Sequence, residues 1–148
     1  PTGQLADLVC RIVAVEGPVH REEVARRVTA AFGLSRAGRR IQEATDRAIG
    51  LAVRDGRLLA LDAFVMTVEQ RAAPEVRDRS AESTPTNRAE YLPPIEIRAG
   101  AERILAESGR MNDDDLVVAT ARLLGFARTG QDVRAVIGSA ISDLVRQG

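Results

Sequence analysis

Apolar residues at Leu5, Leu8, Val9, Ile12 and Val13 have the spacing of a helix buried along one face. Gly17-Pro18 stops it, because proline cannot continue a helix and glycine tolerates the turn. Val19 then stands alone before a polar start, as a short connecting strand would. His20 falls at an N-cap position with Glu23 three residues on, a capping-box arrangement. The helix that follows carries Val24, Val28, Ala31 and Phe32 on one face and ends at Gly33, with Leu34 as the apolar residue after a glycine stop. Beyond Ser35-Arg36-Ala37-Gly38, the longest helix turns Ile41, Ala44, Thr45, Ala48, Leu51 and Ala52 inward until Asp55-Gly56 closes it. Leu58–Leu61 and Phe64–Val68, on either side of Asp62-Ala63, read as a β-hairpin. Helix, short strand, helix, turn, helix, hairpin is the order of a winged helix-turn-helix.

Periodicity fades over residues 69–94, where Pro74, Pro85, Pro93, Pro94 and scattered Ser, Thr and Asn read as a linker. The run Pro74–Ser80 is less bland and is a candidate to dock on a module. Helical spacing then returns near 96–108, 113–124 and 130–147. A shift of 92 positions lays residues 16–56 on 108–148 without a gap. Gly17, Gly33, Arg36, Gly38, Ala48, Ile49, Val53, Arg54 and Gly56 fall on identical residues at Gly109, Gly125, Arg128, Gly130, Ala140, Ile141, Val145, Arg146 and Gly148. Asn112 and Asp115 take the places of His20 and Glu23. An internal repeat of this length means one packed unit used twice. The expected architecture is mainly α with a small β-hairpin, in tandem winged helix-turn-helix-like modules. Residues 1–68 form the first, 69–94 the linker, and 95–148 a second whose hairpin is missing or truncated.

Composition narrows the classes. The chain has 148 residues, 45% hydrophobic, 28% charged and only 3% aromatic, so its core is Val, Leu, Ile and Ala, which suits closely packed helices. The lone Cys10 sits in an apolar run, forms no internal disulfide or metal site by itself, and reads as a buried structural thiol. No apolar stretch approaches the length of a membrane span and no signal-peptide pattern opens the chain, so a cytoplasmic protein without membrane partners is expected. The Pro-Thr-Gly start and the stop just after an expected helix read as an excised piece of something longer.

Net charge is zero but unevenly spread: +3 over residues 1–61, −2 over 62–94 and −1 over 95–148. All basic residues are Arg, through either a preference for bidentate phosphate or carboxylate contacts or the codon usage of a GC-rich bacterial genome. Arg26, Arg27, Arg36, Arg39 and Arg40 fall in the second helix, the turn and the start of the third, places that approach phosphates in a helix-turn-helix. Gln42, Glu43 and Arg47 are placed to reach bases, Glu43 and Asp46 oppose phosphate, and Arg57 lies at the root of the wing. The same pattern also suits a protein contact or a solvated face. Arg36 and Arg128 recur in both modules, either as phosphate clamps or as caps on the last carbonyls of the preceding helix. Asp113-Asp114-Asp115 point in different directions on a helix and favour its positive end, so no metal site is assigned. With one histidine and no lysine there is no triad and no lysine-bearing phosphate loop; no catalytic residue, cofactor or enzymatic activity is expected.

Two stretches carry a resemblance. Val13–His20 running on to Gly33-Leu34-Ser35-Arg36-Ala37-Gly38, together with Val76-Arg77-Asp78-Arg79, resemble a bacterial domain-of-unknown-function family, family 3320. It is found at the C-terminal end of large proteins related to DNA helicases. The resemblance covers residues 8–58 best, and Arg77–Ser80 with the second module more loosely. It implies an accessory domain beside helicase and nuclease-like regions, with no catalytic residue here. The expected partners are therefore DNA, regions of the parent helicase-related protein, or a second copy in a homo-oligomer. The rival to nucleic-acid binding is a protein-protein interaction or oligomerisation module.

Overall fold

The structure is a computed structural model describing residues 1–82 and 88–147. Pro85 of the expected linker and Gly148 of the expected repeat lie outside the described residues. The chain is mainly helical, with one small antiparallel sheet among the described residues, and it separates into two compact units, Pro1–Ala73 and Pro74–Gly148.

The first unit runs α1 (Thr2–Glu16), β1 (Val19–His20), α2 (Arg21–Ala31), α3 (Arg39–Arg54), β2 (Leu59–Leu61), β3 (Phe64–Met66) and α4 (Val68–Ala72). The expected hairpin is present, turning on Asp62-Ala63 with Asp62 at φ 52°. It is part of more than a hairpin: β1 pairs antiparallel with β3, Val19 opposite Val65, giving the order β1-β3-β2. Three helices pack over this sheet around Ala6, Val9, Val13, Val24, Val28, Ala48, Ile49, Ala52, Leu58 and Val65. The apolar stripe of α1 is wider than that core. Ala6, Val9 and Val13 are buried, whereas Leu5, Leu8 and Ile12 are only half-buried. Phe32, expected on the inner face of α2, is instead 64% exposed. It lies past the last helical residue, where the chain has already turned away, and Ala25 and Thr29 fill the inner face.

The helix ends show why the glycines are where they are. After α2 the amide of Gly33 donates to Ala30 O and that of Leu34 to Thr29 O; after α3 the amides of Gly56 and Arg57 do the same with Val53 O and Ala52 O. Both glycines sit at positive φ, the left-handed position of the Schellman closure. The expected capping box at His20 takes another form. His20 Nδ1 accepts from the amide of Glu22 at 3.1 Å, while Glu23 is buried and paired with Arg26. A complete box occurs where none was expected, at Thr67 and Gln70 opening α4.

In the second unit α5 (Pro94–Ser108), α6 (Asp113–Leu123) and α7 (Gln131–Gln147) pack around Ile97, Ala101, Leu116, Ala121, Leu124, Ile137 and Ile141. Each begins 92 positions after α1, α2 and α3 respectively. Seven residues separate α6 from α7, as seven separate α2 from α3. Asn112 Oδ1 accepts from the amide of Asp115, and Gly125 and Phe126 close α6 as Gly33 and Leu34 close α2. No strand occurs among the described residues of this unit.

The linker expected over 69–94 is not a single open segment. Val68–Ala72 is helical and belongs to the first unit; the second begins at Pro74, and Ala89–Tyr91 forms a 3-10 turn. Two of its prolines start a helix: Pro93 is the N-cap of α5 and Pro94 its first residue, where a missing amide costs nothing. Pro74–Ser80 docks on the second unit, as its composition suggested.

Candidate functional site

Of the residues expected to meet nucleic acid, three are taken up by carboxylates. Arg26 pairs with the buried Glu23, Arg27 lies 3.7 Å from Glu16, and Arg57 donates to Asp7 at 2.7 Å. That hydrogen bond pushes the Arg57 guanidinium up from its ordinary value. Arg39 lies 3.6 Å from Glu43, with both side chains exposed, a pair weak enough to exchange for a better anion. Arg36, Arg40 and Arg47 are exposed and have no ion pair among the described residues. The expectation that Arg36 and Arg128 cap the preceding helix fails on the same ground: backbone amides already close those carbonyls, and neither guanidinium bonds to a described residue.

The expected set does not converge on one face. On α3, Arg40, Ala44 and Arg47 occupy the flank toward α1, since residues four and seven apart share a helix side. Ala44 and Arg47 border a groove of about 570 Å³ whose lining also includes Leu5, Leu8 and Arg11 of α1 and Phe32. Gln42 and Asp46 occupy the opposite flank, in a smaller cleft with His20, Arg21 and Glu22, where Arg21 reaches Asp46 at 3.2 Å. Arg27 faces neither; it borders a third hollow with Ile12, Val15 and Glu16. The free cations therefore gather on the side of α3 that faces α1, and the side toward α2 carries carboxylates.

Two further arginines belong with the free set. Arg11 and Arg54 are exposed and without an ion pair among the described residues. Arg54 was legible, lying seven residues beyond Arg47 on the same helix side. Arg11 was legible only as the outward residue of α1, with nothing in the sequence to bring α1 beside α3. The N-terminus of α3 matches this charge. Its cap is Gly38 with no side-chain hydrogen bond and its first turn holds no acid, whereas α2 and α6 open on side-chain caps and carboxylates.

The second unit is organised around a different charge. The Arg79 guanidinium makes a two-point contact with Glu96, at 2.7 and 2.6 Å, and Glu96 is completely buried. The amide of Arg77 donates to the same carboxylate at 2.9 Å, and the amide of Arg79 to Leu124 O. Hydrogen bonds from the Ser80 hydroxyl and amide hold the Asp78 carboxyl below its usual range. Residues 76–80 thus form a strap rather than a binding surface. Asp113–Asp115 lie in the first turn of α6. No group of three or more His, Cys, Asp or Glu among the described residues is placed to hold a metal ion. Burial raises the Cys10 thiol pKa and so suppresses the reactive thiolate.

Residues 1–43 match the family model described as Protein of unknown function (DUF3320). The match takes in α1, β1, α2, the connection and the first turn of α3, and so includes Arg11, Phe32, Arg36, Arg39 and Arg40. It reaches less far than the resemblance suggested: residues 44–58 and Arg77–Ser80 lie outside it. No curated protein and no solved structure matches the chain. Among the described residues no helix is long and apolar enough to cross a membrane.

Proposed function

We propose that this chain is a non-catalytic accessory region of a bacterial helicase-related protein and binds nucleic acid through its first unit. In this reading α2 and α3 act as a helix-turn-helix, the β2–β3 hairpin is the wing, and the second unit is a diverged copy without one. The order α1-β1-α2-α3-β2-β3, with β1 closing the sheet against β3, supports the winged-helix assignment. The common 92-residue spacing of the three helix starts supports the repeat.

One observation carries the function. Arg36, Arg40, Arg47 and Arg54 project from the connection and from α3 with no ion pair among the described residues, while Glu43 and Asp46 of the same helix are already paired with other arginines. The first unit holds eleven Arg against nine acids and the second ten against twelve, a difference that supports binding through the first.

A titration of labelled nucleic acid with the full chain at two salt concentrations tests the reading. Phosphate contacts make affinity fall steeply as salt rises. Arg39→Ala with Arg40→Ala should weaken binding roughly tenfold or more, and Arg26→Ala should change it little because Glu23 already holds that charge. Absence of binding at low salt would sink the reading. The interaction module is then the alternative, favoured by the outward apolar residues Val15 and Val145, 72% and 65% exposed. Light scattering reads self-association directly.

A further inference from the structure

The groove between α1 and α3 has a lining that a duplex backbone does not need. Its floor is aliphatic, from Leu5, Leu8 and Ala44; beside it stands Phe32; Arg11 and Arg47 border it. Both arginines are exposed and unpaired among the described residues, and Arg40 continues the line one turn of α3 before Ala44. Phe32 is the one aromatic among the exposed large apolar side chains of the described residues. An aromatic face, an apolar slot and flanking guanidinium groups are together what an unpaired base asks for: a π surface to stack on and cations for the phosphates on either side. A paired base offers neither face. The wing tip offers little to a duplex, since the residues at its turn are Asp62 and Ala63.

From this we infer that the α1–α3 groove receives an unpaired nucleobase, stacked against Phe32, with Arg11 and Arg47 on the adjoining phosphates. The first unit therefore selects nucleic acid carrying a single-stranded segment over fully paired duplex. This rests on the nucleic-acid reading above and specifies its substrate class. Phosphate complementarity distinguishes this occupant from an apolar peptide, for which the two unpaired guanidinium groups of Arg11 and Arg47 beside the slot would be a desolvation cost.

The experiment uses the full chain with three fluorescent probes: an oligo-dT strand, a forked duplex bearing an oligo-dT arm, and a blunt duplex of equal length. The fork should bind roughly tenfold more tightly than the blunt duplex, and 2-aminopurine placed in the arm should change in fluorescence as it stacks. Phe32→Ala should bring the fork down to the blunt level while leaving blunt-duplex affinity unchanged, and Phe32→Trp should restore the preference. Leu8→Gln gives a second variant whose fold is checked by circular dichroism and which should lose the same preference. Equal affinity for fork and blunt duplex overturns this inference and leaves the nucleic-acid function standing. No binding to any probe at low salt overturns both. Selective capture of a Glu-rich amphipathic peptide by the groove, abolished by Phe32→Ala, assigns the slot to a protein and overturns the inference as well.

Discussion

Gly33 and Gly125 occupy matching positions after α2 and α6, both at positive φ, yet their surroundings impose different demands. A Cβ on Gly33 would meet open space. On Gly125 it would fall on the backbone nitrogens of Arg79 and Ser80 and on Asp78 Oδ1. Gly33→Ala should therefore cost only the backbone strain, about 1 kcal/mol. Gly125→Ala should cost more, because the strap must also lift from α6. The chain's one tyrosine, Tyr91, is buried in the second unit, so its fluorescence during urea unfolding reports that unit selectively. The buried pair beneath the strap gives a sharper test. Glu96→Gln leaves the Arg79 guanidinium buried without a counter-charge and should destabilise the second unit by about 3–5 kcal/mol. Adding Arg79→Met should recover part of that loss, since the introduced side-chain carbonyl still accepts from the Arg77 amide and no buried charge is left unpaired.

At the scale of elements, the helices were legible and the joints between them were not. The 3.6-residue spacing and the glycine stops placed all six long helices to within two residues at each end beyond the opening segment, and the Asp62-Ala63 turn fixed the hairpin. Those signals are local. The failure over 69–94 was not: Gln70 looked like one more polar linker residue, and its role depends on a partner far back in the chain. Its side-chain amide donates to the carbonyls of Val13 at 2.7 Å and Ala14 at 3.1 Å, while its oxygen accepts from the Thr67 amide. One side chain thus caps α1 and opens α4, and a Cβ on Gly17 would collide with it. Gln70→Ala should leave the Val13 carbonyl with the Gly17 amide alone, free the Ala14 carbonyl, remove half of the box that opens α4, and destabilise the first unit by about 1–2 kcal/mol. Faster amide exchange at the C-terminal turn of α1 is the expected signature. The strap was half legible in the same way. Val76 and Arg79 stood out from the surrounding prolines, but only the fold brings Glu96 under them. The groove was hidden for a related reason, because periodicity marked Leu5, Leu8 and Phe32 as apolar without saying that Leu5 and Leu8 stay half-buried at the edge of the core and that Phe32 is left exposed.

For the whole molecule, the question is whether two units whose three long helices start 92 positions apart perform one task. The shared positions are the helix stops and inner faces; the charges differ. Arg36 and Arg128 provide the cleanest comparison, since both are exposed in the seven-residue connection between second and third helices, and neither bonds to a described residue. Around Arg36 stand Arg39 and Arg40, at the opening of a helix with no acid in its first turn. Around Arg128 the corresponding helix opens on Gln131 and Asp132. A lone guanidinium beside a carboxylate is a poor phosphate ligand, whereas one in a cluster releases several counterions together. Arg36→Ala should then lower nucleic-acid affinity severalfold and reduce the salt slope by about one. Arg128→Ala should leave both unchanged, and neither should alter stability measurably because each side chain projects into solvent. Equal losses from the two variants would mean that both units bind, and would reverse the division of labour drawn from the charges.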